Sequence, residues 1–168
     1  MMETVRDIIE VVVVAFIIAM VIRGLVIETF VVHGPSMEPT LVDGERLLVF
    51  KLAYKLGKPK RGDVVVLRYP LDPSRDYIKR VVAVEGDTVE LRLGRLYVNG
   101  ILQEEPYVRY PGLYNMASLV VPQDTVFVMG DHRTDSEDSR FFGPVPVDLL
   151  KGKAIFIIWP PKAIGAIR

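Results

Sequence analysis

The sequence has no cysteine, which excludes disulfide frameworks and thiolate metal sites. Its two histidines, His33 and His132, are too few for an ordinary protein-built zinc site, and no metal or cofactor is implied. Charge of one sign is also missing. The 21 basic residues balance 21 acidic ones, so neither nucleic acid nor an acidic membrane surface is indicated as a partner. Internal repeats and low-complexity stretches are absent. With 168 residues the chain suffices for one folded unit with a real core and hardly for two.

What the chain does have is apolar residues, half of the total, unevenly placed. "IIEVVVVAFIIAMVIRGLVI", Ile8 to Ile27, would span roughly 30 Å as a helix, about the thickness of a bilayer's hydrocarbon core. Glu10 and Arg23 lie near its ends, where long side chains reach the headgroups. A cleavable signal should start with basic residues and end in a small-x-small pattern. Here Glu3, Asp7 and Glu10 outnumber Arg6 and no such pattern follows, so the reading is a retained anchor. A buried helix of a soluble protein is the remaining alternative, weakly disfavoured by the valines and isoleucines. Arg6 and Arg23 flank the segment symmetrically and leave its orientation open. The expected division is an anchor over residues 1–27 and a β-rich domain over 28–168.

From Glu28 onward short β-branched runs alternate with turn residues, the pattern of a mainly β, antiparallel domain. The expected strands are "RLLVF", "GDVVVLRY", "YIKRVVAV", "TVELRL", "RLYVNGILQ", "TVFVMGD" and "KAIFIIWP". Asn99-Gly100 predicts a two-residue hairpin, because both turn positions need positive φ. Leu48, Leu52 and Leu56 also fit a short helix near Val49 to Leu56, in competition with the strand reading of "RLLVF". Tyr107 to Leu119 lacks periodicity and reads as an extended excursion.

Three segments carry polar residues suited to chemistry. In "VVHGPSMEPTL", Pro35 and Pro39 stiffen the chain around Ser36, which lies at most about 30 Å of extended chain beyond Ile27. A serine hydroxyl needs a base to become a nucleophile, and His33, His132 and Lys79 are available. Strand alternation puts Tyr77, Lys79, Val81 and Ala83 on one face, where desolvation lowers a lysine's pKa towards the value a base requires. In "GDHRTDSEDSRFFG", Ser136, Asp138 and Arg140 alternate at period two, so an extended backbone would bring them to one side with Asp138 paired to Arg140. A loop hydroxyl, a snorkelling lysine and a solvated acidic loop are the bland counterparts.

Together the apolar segment, "GPSMEPTL", "RGDVVV", "YIKRVVAVEGD" and "GDHRTDSEDSRFFGPV" resemble the bacterial signal peptidase I family, in order and spacing over nearly the whole chain. The resemblance implies a membrane-bound serine endopeptidase of the bacterial cytoplasmic membrane, single-pass, with its catalytic domain outside the cytoplasm. Its partners would be membrane lipid and signal-peptide-bearing preproteins, with no nucleic acid. It makes Ser36 the nucleophile and Lys79 the general base. Ser136 would orient the lysine amine, Asp138 and Arg140 would brace that segment, and Asp131 would be a further structural acid. Apolar substrate pockets are implied near Phe30, Val32, Met37, Leu41, Tyr77 and Ile78.

Two positions depart from common family patterns. Gly34 stands where some members carry an oxyanion-binding serine, so the Ser36 backbone N–H and a second, unnamed donor must hold the oxyanion. His132 stands where many carry asparagine and reads as a motif variant, since the lysine is retained. The rival readings are a repressor-type Ser–Lys self-cleaving protease and a non-catalytic, membrane-tethered β-domain that binds peptides.

Overall fold

A computed structural model describes residues 2–167. The apolar segment is one helix, α1 (Met2–Val26), which leads directly into β1 (Ile27–Val31). Its apolar side chains from Ile8 to Val21 are exposed, unlike those of the core helix of a soluble protein, and Arg6–Val26 is long and apolar enough to cross a membrane.

The remainder is mainly antiparallel β-structure. Chain order runs through β2 (Arg46–Phe50), α2 (Ala53–Leu56), β3 (Val64–Tyr69), β4 (Asp72–Val84), β5 (Thr88–Arg92), β6 (Arg95–Val98), β7 (Ile101–Leu102) and β8 (Met116–Val120). It ends with β9 (Thr125–Met129), α3 (Ser139–Phe142), β10 (Val145–Pro146), β11 (Leu150–Trp159) and β12 (Gly165–Ala166). The larger sheet has the order β1-β2-β11-β3-β4-β9-β10, with β12 beside β11, and the smaller one β7-β6-β5-β8.

β3 explains why its sequence is an unbroken apolar run. Val64 and Val66 pack into one core cluster with Val32, Met37 and Leu47, while Val65 and Leu67 pack into another with Val81 and Val128. Both faces are buried, so no alternation is left to see. The smaller sheet covers a third cluster, from Val89 and Leu96 to Phe127. Its hairpin turns at Asn99 (φ 54) and Gly100 (φ 76), both in the left-handed region that the dipeptide implied.

Both readings of Val49 to Leu56 are realised in succession: the strand ends at Phe50 and a single helical turn follows. The excursion from Tyr107 contributes a strand at its end, β8, whose side chains are mostly exposed. One expectation is corrected. The pairing of β4 with β9 shifts register between Val81 and Ala83. Ala83 therefore joins Val82 in one cluster and Val84 joins Val81 in the other, instead of Ala83 sharing a face with Tyr77 and Lys79.

Candidate active site

β4 pairs with β3 from Asp72 to Arg80 but with β9 only from Arg80 onward, because the chain leaves β9 at Gly130. The stretch from Arg75 to Lys79 therefore has an open edge. A cleft of about 720 Å³ lies between it and the other open edge, β1, with the loop from Val32 to Met37 and with Asp135 and Glu137 completing the lining.

Ser36 and Lys79 meet in this cleft. Lys79 Nζ lies 2.9 Å from Ser36 Oγ and 3.0 Å from the Ile78 carbonyl oxygen. The lysine is only 4% exposed, and the Tyr77 ring lies 5.0 Å from its nitrogen. Burial is the main cause that lowers its pKa to about 8. The charges of Asp138, Glu137 and Asp131 oppose that shift without cancelling it, and Arg140 adds to it. A lysine of this kind is largely a neutral amine by pH 9.

The carboxylates behind the pair are fully engaged. Asp138 accepts from the Gly130 N–H at 2.9 Å, from Ser136 Oγ at 2.8 Å and from Arg140 Nε and Nη2, both at 2.8 Å. It also caps α3, accepting from the Arg140 N–H. The expected Asp138–Arg140 pair thus forms, but across an N-capped helical turn rather than along an extended strand, because an aspartate ahead of a short helix satisfies that helix's free N–H. Ser136 adjoins the same carboxylate. Its hydroxyl donates to Asp138, and Lys79's hydrogen bonds among the described residues go to Ser36 and Ile78.

Asp131 is wholly buried and holds Arg80, itself 2% exposed, through Nε–Oδ1 at 2.9 Å and Nη2–Oδ2 at 2.7 Å. Thr40 Oγ1 donates to the same carboxylate at 2.5 Å. One ion pair thereby joins the strand of Lys79, the loop of Ser36 and the turn after β9. Arg80 went unnoticed in the sequence, although it adjoins Lys79 among apolar neighbours. Arg133, also buried, donates to the Gly130 carbonyl oxygen and pairs with Glu105.

Glu105 introduces the excursion that had no legible periodicity. Its tyrosines cover this network: Tyr107 lies 4.0 Å from the Arg80 guanidinium, Tyr114 4.5 Å from that of Arg140, and Tyr110 packs at a tilt against His132, ring centres 4.5 Å apart. His132 makes no hydrogen bond to Ser36 Oγ; its backbone N–H donates to the Ser36 carbonyl oxygen at 3.1 Å. His33 is exposed and lines the cleft.

Of the expected pocket residues, Phe30, Val32, Met37, Tyr77 and Ile78 line the cleft, with Val32 and Met37 mostly sunk in the core beneath it. Leu41 does not. The turn closed by its N–H on the Met37 carbonyl directs it into the core, where it is wholly buried.

A serine hydroxyl against a buried, weakly basic lysine at the edge of a β-sheet is the equipment of a serine peptidase. Residues 5–159 match the family described as "Signal peptidase, peptidase S26", and the chain belongs to that family. It is 39% identical over 165 residues to signal peptidase IB of Staphylococcus aureus, covering 88% of this chain and 85% of that one. Probable signal peptidase I-2 of Synechocystis is 37% identical, over 91% and 72% of the two chains. Thylakoidal processing peptidase 1 of Arabidopsis thaliana is 38% identical over 90% of this chain, which spans 47% of the plant protein's length. The crystal structure of a signal peptidase I from Enterococcus faecalis superposes with a TM-score of 0.51 at 32% identity, over 58% of this chain and 97% of the other.

Proposed function

We propose that this chain cleaves signal peptides from exported preproteins by acyl transfer, with Ser36 as nucleophile and Lys79 as general base. The observation that carries the proposal is the 2.9 Å approach of a buried lysine with a pKa near 8 to the serine hydroxyl. The neutral amine takes the Ser36 proton as Oγ bonds to the scissile carbonyl carbon; the resulting ammonium then protonates the departing amine. Water, deprotonated by the same lysine, releases the acyl group. The Ser36 backbone N–H has no acceptor among the described residues and is free to hold the oxyanion.

Two open strand edges suit an extended peptide, which would add to them by backbone pairing while its side chains enter the lining between Phe30 and Ile78. Helix α1 anchors the domain to the bacterial cytoplasmic membrane in a single pass, with the catalytic domain on the extracytoplasmic side. A substrate held by its own membrane segment is thereby concentrated at the site. Asp131, Asp138 and Arg140 brace the dyad, and Ser136 acts through Asp138.

The test is cleavage of a purified precursor by the full-length protein in lipid. Ser36→Ala and Lys79→Ala should each fall below about one thousandth of wild-type activity. Full activity in either would overturn the assignment. A self-cleaving protease would instead cut its own chain without precursor, and a peptide-binding domain would cut neither.

A further inference from the structure

Glu137 occupies the one position between Ser136 and Asp138, on the opposite side of the chain from those two, and reaches the cleft. Its Oε1 accepts from the Tyr69 hydroxyl at 2.6 Å and its Oε2 from the Tyr77 hydroxyl at 2.8 Å. The two rings stack at 4.5 Å, Phe142 meets Tyr69 edge-on at 5.5 Å, and the Arg75 guanidinium lies 5.5 Å from the Tyr77 ring. Tyr77 is also the ring nearest Lys79 Nζ.

We propose, resting on the Ser36–Lys79 reading, that Glu137 is a positioning residue of the reaction: it clamps Tyr77, backed by the stacked ring of Tyr69, into a rigid wall of the cleft and presents a fixed negative charge to the base. The clamp is built to hold across the working range. The Tyr69 hydroxyl, then the Tyr77 hydroxyl, keep the Glu137 carboxyl below its ordinary value. Burial, reinforced by Glu137, pushes Tyr77 up to about 12, so it remains a donor. A tyrosine with no carboxylate to hold it could rotate, and the wall it forms would lose definition for the substrate side chain beside it.

The charge acts separately from the clamp. The groups facing Lys79 are Asp138 and Asp131 from the turn after β9, Glu137 from the same segment, Arg140 from α3 and Tyr77 from its own strand, with His33, Arg75, Asp76 and Asp135 on the cleft lining. Asp138 and Asp131 are each tied to an arginine. Glu137 is hydrogen-bonded by neutral hydroxyls, and the cations that act on it are Arg75 and Lys79 itself. Removing Glu137 makes the lysine a neutral amine at lower pH.

Glu137→Gln, Glu137→Ala and Tyr77→Phe, compared in the full-length protein, separate the two roles. In Glu137→Gln the acidic limb of kcat/KM moves to lower pH, raising activity at pH 6 relative to pH 9 about threefold. Tyr77→Phe keeps the charge, so its acidic limb stays in place, while KM rises roughly three- to tenfold with little change in kcat. Glu137→Ala does both. Isotope labelling of tyrosine Cζ reads the clamp without catalysis: the Tyr69 and Tyr77 resonances, assigned from the phenylalanine variants, both shift in Glu137→Gln. Unmoved resonances would overturn the clamp. An unmoved limb in a Glu137→Gln protein with a wild-type unfolding midpoint would overturn the electrostatic role. Loss of Ser36 acylation in the wild type itself would instead strike the dyad reading, leaving the tyrosine spectra to decide the clamp.

Discussion

Arg80 and Asp131, 51 residues apart, form a two-point ion pair with both side chains almost wholly buried. Each adjoins a residue of the site: Arg80 follows Lys79, and Asp131 follows Gly130, which packs against the Ser36 loop. The pair fixes the distance between Lys79 and Ser36 by joining the segments that carry them.

Breaking it from one side leaves a buried charge without its partner. Asp131→Asn is expected to lose about 3–5 kcal/mol of stability, measured by denaturant unfolding, whereas Arg80→Met combined with Asp131→Leu loses much less. Equal losses in the single and double variants would contradict this account of the pair.

Gly130 has no room for a side chain. A Cβ there would collide with the Ser136 hydroxyl and the Ser36 carbonyl oxygen. Gly130→Ala must displace both, so it should destabilise by roughly 1–3 kcal/mol and reduce Ser36 acylation far more than the stability loss explains. Wild-type acylation rates in this variant would refute the tight packing.

Ser136 reaches the site through Asp138, so losing its hydroxyl removes one hydrogen bond from a carboxylate that keeps its others. Ser136→Ala should cost precursor cleavage about fivefold, in line with one hydrogen bond of about 1 kcal/mol. Abolished activity in a folded protein would mean that Ser136 contacts the reacting groups directly.

Lys79 weakens the fold that holds it. Its folded pKa, about 8, lies below the ordinary 10.5. The unfolded chain therefore binds the proton more tightly, and stability rises with pH between those values. Below about pH 8 the whole penalty applies, roughly 3 kcal/mol. Lys79→Met should thus be more stable than wild type at pH 7, by up to about that amount, with the difference shrinking between pH 8 and 10.5. A less stable variant at pH 7 would contradict the burial of the charged form.

The parts legible in the sequence were those set by local physics. β3, β4 and β9 are β-branched runs, Asn99-Gly100 admits one kind of turn, and an apolar setting for Lys79 follows from its strand neighbours. The parts that were not legible depend on distant packing. Among the described residues β8 pairs only with β5, and it leaves most side chains exposed, so no apolar alternation marks it. Leu41 looked like a pocket residue until the turn after Ser36 directed it inward. The partner of Ser136 depends on where Gly130 brings the Asp138 carboxylate, and the tyrosines of the excursion acquire meaning only from the cations beneath them. The bulge in β4 moves Ala83 to the other face, a one-residue slip that no alternation pattern announces.

The most direct test is the rate at which a serine-directed acylating inhibitor labels Ser36 as pH is varied, in the wild type and in Lys79→Arg. The account predicts a rate that climbs from pH 6 to 9 with a midpoint near 8 and no labelling in the arginine variant, whose guanidinium does not deprotonate. Labelling of Lys79→Arg at the wild-type rate would remove the lysine from the chemistry.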